Sequence, residues 1–169
     1  ERLGETPIWL TDVRPERMEL PLEPIWDPAT GRIGGYVVRV QLGTKRKPVA
    51  LLLDSGSPGL FVIERVARKR GFEFVAEKTT LGGGGDRRHR TQRGFFESVA
   101  VGELSFTSAL ATTSKAEMDP TGRFHGLIGL SVFNGYVVTL DFKNKRLILE
   151  PPVEEPLAPS SDYWTVMGQ

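Results

Sequence analysis

An all-β fold is what this chain of 169 residues predicts, and three observations predict it. Nineteen glycines and twelve prolines provide more turns than a helical protein uses. Apolar residues recur in short alternating or continuous runs bounded by turn residues, which is the pattern of strands. Helical spacing is clear only in ERVARKRG at 64–71, so one or two short helices are expected.

Taken in order, residues 1–31 form a proline-rich N-terminal extension in which RMELPLEPI (17–25) partly alternates. Its prolines confine any strand there to a sheet edge. GRIGGYVVRVQLG (31–43) reads as a strand with Tyr36, Val38 and Val40 on one face. TKRKP (44–48) is a polar turn and VALLLD (49–54) a buried strand, together a hairpin that delivers Asp54 to its end. LFVI is a short strand, and the helix after it closes on a basic turn with Gly71 where a cap glycine belongs. FEFVAEKTTL (72–81) is extended, and GGGGDRRHRTQRG (82–94) is expected as a mobile, basic loop. Residues 95–115 are two strands around Gly102-Glu103, and EMDPTGRFH is a loop. GLIGLSVF (126–133) is tightly apolar, and NGYVVTLDFKNKRLILEPP is a closing hairpin that turns at Lys143-Asn144-Lys145. The strand-rich domain spans 32–150, and residues 151–169 form a proline-rich tail.

With 39% hydrophobic and 25% charged residues, the chain can bury a proper core. The absence of cysteine excludes disulfides, thiolate catalysis and cysteine-built zinc sites. His89 and His125 are too few for a histidine-built metal centre, so no metal or cofactor is expected. No apolar run approaches the roughly 20 residues that span a bilayer, and no membrane contact is expected within this chain. The sequence opens on Glu1 rather than Met, as a processed chain does, and a signal peptide or anchor upstream would not be visible. Net charge is +1, and basic residues gather at 45–47, 65–70 and 87–93. These clusters read as solvated faces. They lack the aromatic interleaving of a single-strand platform, so nucleic acid is not an expected partner.

The stretch with chemical content is LLLDSGSPG at 51–59. A buried, unpaired carboxylate is expensive, so an acid ending so apolar a strand should be hydrogen-bonded, partly protonated or catalytic. Asp54-Ser55-Gly56 also makes an ordinary turn, since Asp and Ser bond locally to backbone and Gly permits positive φ. Turn acids normally follow polar strand ends, however, and this one follows three leucines. About seventy residues downstream, Gly126 and Gly129 in GLIGL bracket two aliphatics, a pattern that suits close backbone packing.

In their order and spacing, LLLDSGSPGLFV, a glycine-rich hairpin, GLIGLSVF and the terminal VVTLDFKNKRLIL hairpin resemble a single-domain, retropepsin-like aspartic protease of the bacterial kind, over about residues 34–150. The resemblance implies an acid-protease closed barrel or sandwich. It implies Asp54 as the catalytic acid, with support from Ser55, Gly56 and Ser57, and Gly126 and Gly129 packed beneath the loop. A substrate-binding flap would carry Gly82, Gly83, Gly84 and Gly85; a disordered linker is the competing reading, and a phosphate loop lacks its Lys-[Ser/Thr]. Ser57 departs from the alanine of retroviral members, and its hydroxyl would donate to Asp54. His125 also departs from the acid of many relatives and reads as a loop residue.

The chain holds one such motif, since neither Asp119 in MDPTG nor Asp141 in TLDFKN is followed by Ser/Thr-Gly. The resemblance therefore implies a homodimer that brings two Asp54 side chains together, with a polypeptide as substrate. The alternative is a non-cleaving or latent peptide-binding domain of the same fold, a regulatory part of a longer protein. An extracytoplasmic location, periplasmic or secreted, is expected from the resemblance.

Overall fold

The computed structural model describes residues 16–81, 88–116, 118–119 and 121–152. In chain order these form β1 (Met18–Pro21), β2 (Glu23–Trp26), β3 (Ile33–Leu42), β4 (Val49–Leu53), β5 (Leu60–Ile63), α1 (Glu64–Lys69), β6 (Glu73–Leu81), β7 (Arg88–Val101), β8 (Leu104–Ser114), β9 (Gly126–Ile128), a 3-10 turn (Leu130–Phe133), β10 (Val137–Asp141) and β11 (Arg146–Glu150). Eight strands make one sheet in the order β2-β3-β4-β9-β5-β8-β7-β6. A further pairing of β3 with β7, Gln41 opposite Ala100 and Leu42 opposite Val99, closes six of them into a barrel. Closure pairs the edges of those six strands with each other and leaves β2 and β6 as the edge strands of the sheet. The other three strands form a small sheet, β1-β11-β10.

Strand alternation builds the core. Val38, Val40 and Leu42 of β3 point inward and are fully buried, and they meet Leu51, Val62 and Phe96. Leu147 and Leu149 of β11 and Met18 and Leu20 of β1 belong to the same cluster, so the small sheet packs against the barrel's core. On the opposite face of β3 and β4, Ile25, Val37 and Ala50 form a second, smaller cluster with Leu52 and Phe124 against it.

Two elements differ from the sequence reading. The edge strand expected at 17–25 is two strands in two sheets, split at buried Leu22, whose N–H donates to Lys145 O at 2.9 Å. Both take edge positions, as Pro21 and Pro24 require. The expected loop 82–94 is shorter, because residues 88–94 belong to β7, which pairs with β6 from Leu81 opposite Arg88 to Glu73 opposite Phe95. A ribbon with polar residues on both faces carries no apolar period, so its strand character is invisible to patterning. α1 ends as expected, with Arg68 and Lys69 in its last turn and Gly71 at φ +78°. Among the described residues no helix is long and apolar enough to cross a membrane.

Candidate active site

β4 runs from the core to the surface. Val49, Ala50 and Leu51 are buried, Leu52, Leu53 and Asp54 are half-buried, and Ser55 and Gly56 are exposed. The carboxylate that ends so apolar a strand therefore sits at the rim, where water still reaches it. Its environment is built mostly from backbone. The Asp54 N–H donates to Ile128 O at 3.0 Å, and the Gly56 N–H donates to Asp54 Oδ1 at 2.9 Å. The Ser57 N–H donates to Asp54 O at 3.1 Å, and Ser57 O accepts the Gly59 N–H at 3.1 Å. Among the described residues, neither the Ser55 nor the Ser57 hydroxyl bonds Asp54; the side-chain bond comes from the Gly56 amide.

Beneath this loop lies β9, which runs parallel to β4 with Leu53 opposite Ile128, and antiparallel to β5 with Leu60 opposite Ile128. The two sequence motifs thus meet in space. Gly129 donates to Gly59 O at 2.8 Å, and a side chain there would overlap the Ser57 carbonyl and stand 2.9 Å from Gly59 N. At Gly126 an added Cβ would stand 2.9 Å from Phe61 C and Val62 Cα. Glycine is what allows β9 to approach the Asp54 loop and β5 backbone to backbone. His125 continues the contact through its main chain, donating to Ala50 O and accepting from the Ile63 N–H, each at 2.9 Å.

The other two acids weighed from the sequence are engaged in turns of their own. Asp141 accepts from Asn144 N at 2.9 Å, Asn144 Nδ2 at 2.7 Å and Arg146 at 3.2 Å, and the Asn144 side chain leads in holding its carboxyl below the usual range. Asp119 is buried and accepts from the Thr121 hydroxyl at 2.6 Å and the Arg123 N–H at 2.7 Å. Burial pushes the Asp119 carboxyl upward, but the bonds from Thr121 and Arg123 outweigh it and hold the group well below the ordinary carboxylate range. From the sequence alone Asp119 is only a rejected second acid, and its one signal is an arginine four residues on.

Gly82, Gly83, Gly84 and Gly85 lie outside the described residues. Among the described residues no group of three or more His, Asp or Glu is placed to hold a metal ion. A surface pocket of about 260 Å³, lined by Ile63, Glu64, Arg65, Arg68 and Lys115, opens at the far end of β5 from the Asp54 loop.

Comparison with known proteins adds the following. A family model described as "Aspartyl protease" matches residues 29–132. No curated protein sequence matches. The structure is similar to that of a retropepsin-like aspartic protease from Rickettsia conorii, with 17% identity and a TM-score of 0.53, covering 83% of this chain and 93% of that one. An aspartic proteinase from Irpex lacteus aligns at 15% identity and a TM-score of 0.47, over 74% of this chain and 32% of the other. The all-β architecture is thus of the retropepsin-like kind.

Proposed function

The chain belongs to the aspartyl protease family, and on that premise we propose that it is an aspartic endopeptidase working as a homodimer, with one Asp54 from each protomer. One observation carries this reading. Asp54 stands half-exposed on a loop fixed from below by Ile128 and Gly129, while the other two acids weighed from the sequence, Asp119 and Asp141, are occupied in their own turns. A two-fold pairing of such loops supplies the second carboxylate that one chain lacks.

Two carboxylates held a few ångströms apart do not both ionise readily, so the pair shares a proton and titrates as a unit. The ionised Asp54 takes a proton from a water lodged between them, and the water oxygen attacks the scissile carbonyl carbon. The protonated Asp54 donates a hydrogen bond to the carbonyl oxygen. The resulting tetrahedral diol collapses by breaking the C–N bond, and the departing nitrogen takes up a proton from the pair. No covalent enzyme intermediate forms. Half-buried Leu53 directly precedes Asp54 and leaves apolar surface next to it in the chain, which suits an apolar substrate side chain. The ribbon of β6 and β7 takes the part of the flap in this reading, with an extended peptide lying beneath it.

The test compares wild type with Asp54→Asn on an unbiased peptide library at mildly acidic and neutral pH. Wild type is expected to cleave, and the variant to lose at least about a thousandfold in kcat/KM. Cleavage that survives the substitution refutes the assignment. Peptide binding without cleavage by wild type moves the chain to the non-cleaving reading.

A further inference from the structure

Asp119 is a carboxylate whose surroundings are better organised than a surface turn requires. It is 6% exposed. Oδ1 accepts from the Thr121 hydroxyl at 2.6 Å, the Thr121 N–H at 3.1 Å and the Arg123 guanidinium at 3.3 Å. Oδ2 accepts from the Arg123 N–H at 2.7 Å, Arg123 Nε at 3.2 Å and the Phe124 N–H at 3.4 Å. Arg123 then reaches out of the turn and donates to Trp26 O on β2 at 2.7 Å, 97 residues away in sequence. A buried charge with this many donors fixes the geometry of everything that donates to it.

The segment so fixed leads directly to the Asp54 loop. One residue past Phe124, His125 is bonded on one side to Ala50 of β4 and on the other to Ile63 of β5. β9 begins at the next residue and ends at Ile128, whose carbonyl holds the Asp54 N–H. We propose that Asp119 and Arg123 are a positioning pair: they lock the turn that feeds β9 against β2, and through β9 they set the height and angle of the loop carrying Asp54. Neither touches the reacting atoms. This inference rests on the proposed function for its catalytic meaning, but its physical content concerns the loop alone.

The test is amide hydrogen exchange, read residue by residue in the full chain, with Asp119→Asn and Arg123→Gln. The amides of His125, Ile63, Asp54 and Gly129 report the connection, and those of Leu22 and Gly43, bonded to Lys145 and Ser98, serve as remote references. Asp119→Asn is expected to speed exchange at the four reporters by about tenfold or more, the scale of one lost charge-assisted bond, with little change at the references. Arg123→Gln is expected to act in the same direction and more weakly, because it spares the Thr121 and backbone donors. Equal acceleration at all six amides would reduce the pair to general stability, and no acceleration would remove it from the loop; either overturns the proposal. Should Asp119→Asn fail to fold, Arg123→Gln decides by the same criterion. A parallel kcat and KM measurement, where wild type cleaves, is expected to show loss in kcat with KM retained. A wild type that cleaves nothing overturns the endopeptidase reading and leaves the exchange result to decide this one.

Discussion

Substituting Gly129 with alanine tests the central packing claim. A Cβ at this position would overlap the Ser57 carbonyl oxygen and stand 2.9 Å from both Ser57 C and Gly59 N. These are backbone atoms, so no side chain can swing away to make room. Restoring an ordinary carbon–oxygen contact requires the Ser57 carbonyl to retreat by about 1 Å or more. Ser57 O holds the Gly59 N–H at 3.1 Å, and Gly59 O holds Gly129 itself at 2.8 Å, so both bonds stretch together. Overpacking costs about 1–3 kcal/mol and the strained bonds add about 1 kcal/mol, giving roughly 2–4 kcal/mol. In a chain of this length that is a fall of roughly 6–12 °C in Tm. Urea unfolding measures the stability, and exchange of the Asp54 amide measures the local displacement. Peptide cleavage is expected to fall further than stability accounts for, because the carboxylate moves with the loop. A Gly129→Ala protein within about 0.5 kcal/mol of wild type, with an unchanged Asp54 amide, would refute the account of β9 as a floor pressed against the loop.

Three further outcomes follow. Mixing wild type with an equal amount of Asp54→Asn protein, after exchange of protomers, is expected to cut activity per wild-type chain to about half, since a dimer with one carboxylate is inactive; unchanged activity would mean that one chain suffices. Phe96, fully buried and packed edge-on against Phe72 at 5.5 Å, is expected to cost about 3–5 kcal/mol on truncation to alanine, measured by urea unfolding. The Asp119 carboxyl is held below its ordinary value in the folded chain, so its contribution is present above the unfolded carboxylate value of about 3.9 and is lost as pH falls through the lower folded value. The stability gap between wild type and Asp119→Asn is therefore expected to be level from about pH 7 to about pH 5 and to narrow below about pH 4; a gap that widens on acidification would contradict the hydrogen-bond pattern.

What could be read from the sequence follows from what patterning measures. Val38, Val40 and Leu42 alternate, and the continuous run of β4 marks a strand buried on both faces, so the hairpin that carries Asp54 was visible. Gly126 and Gly129 were visible as close-packing positions because two glycines around two aliphatics have few other uses. Leu22 was not recognisable as a break between two sheets, since one buried leucine among prolines fits a continuous edge strand equally well. In the ribbon, β6 was legible as an extended segment, but residues 88–94 of β7 were hidden, because RHRTQRG carries no apolar alternation. Asp119 and Arg123 were hidden for a different reason: an acid and an arginine four residues apart look like any solvated turn. Their significance lies in a carbonyl of Trp26, 97 residues away, which only the fold brings near.

Rigidity in this protein is distributed as the proposed dimer requires. Nearly every atom that fixes Asp54 lies on its inner side: Ile128 O below the main chain, Gly129 against Ser57, and His125 tying β4 to β5. On the outer side, Ser55 and Gly56 are exposed, and the carboxylate keeps one side-chain hydrogen bond, from the Gly56 amide. A purely structural aspartate in a turn gains nothing from so heavily packed a floor, because a turn tolerates small displacements. A carboxylate that has to meet a symmetry mate within a few ångströms tolerates almost none, since small errors in placement reduce catalysis steeply. In the proposed dimer, the floor is half of a site whose other half arrives with the second copy.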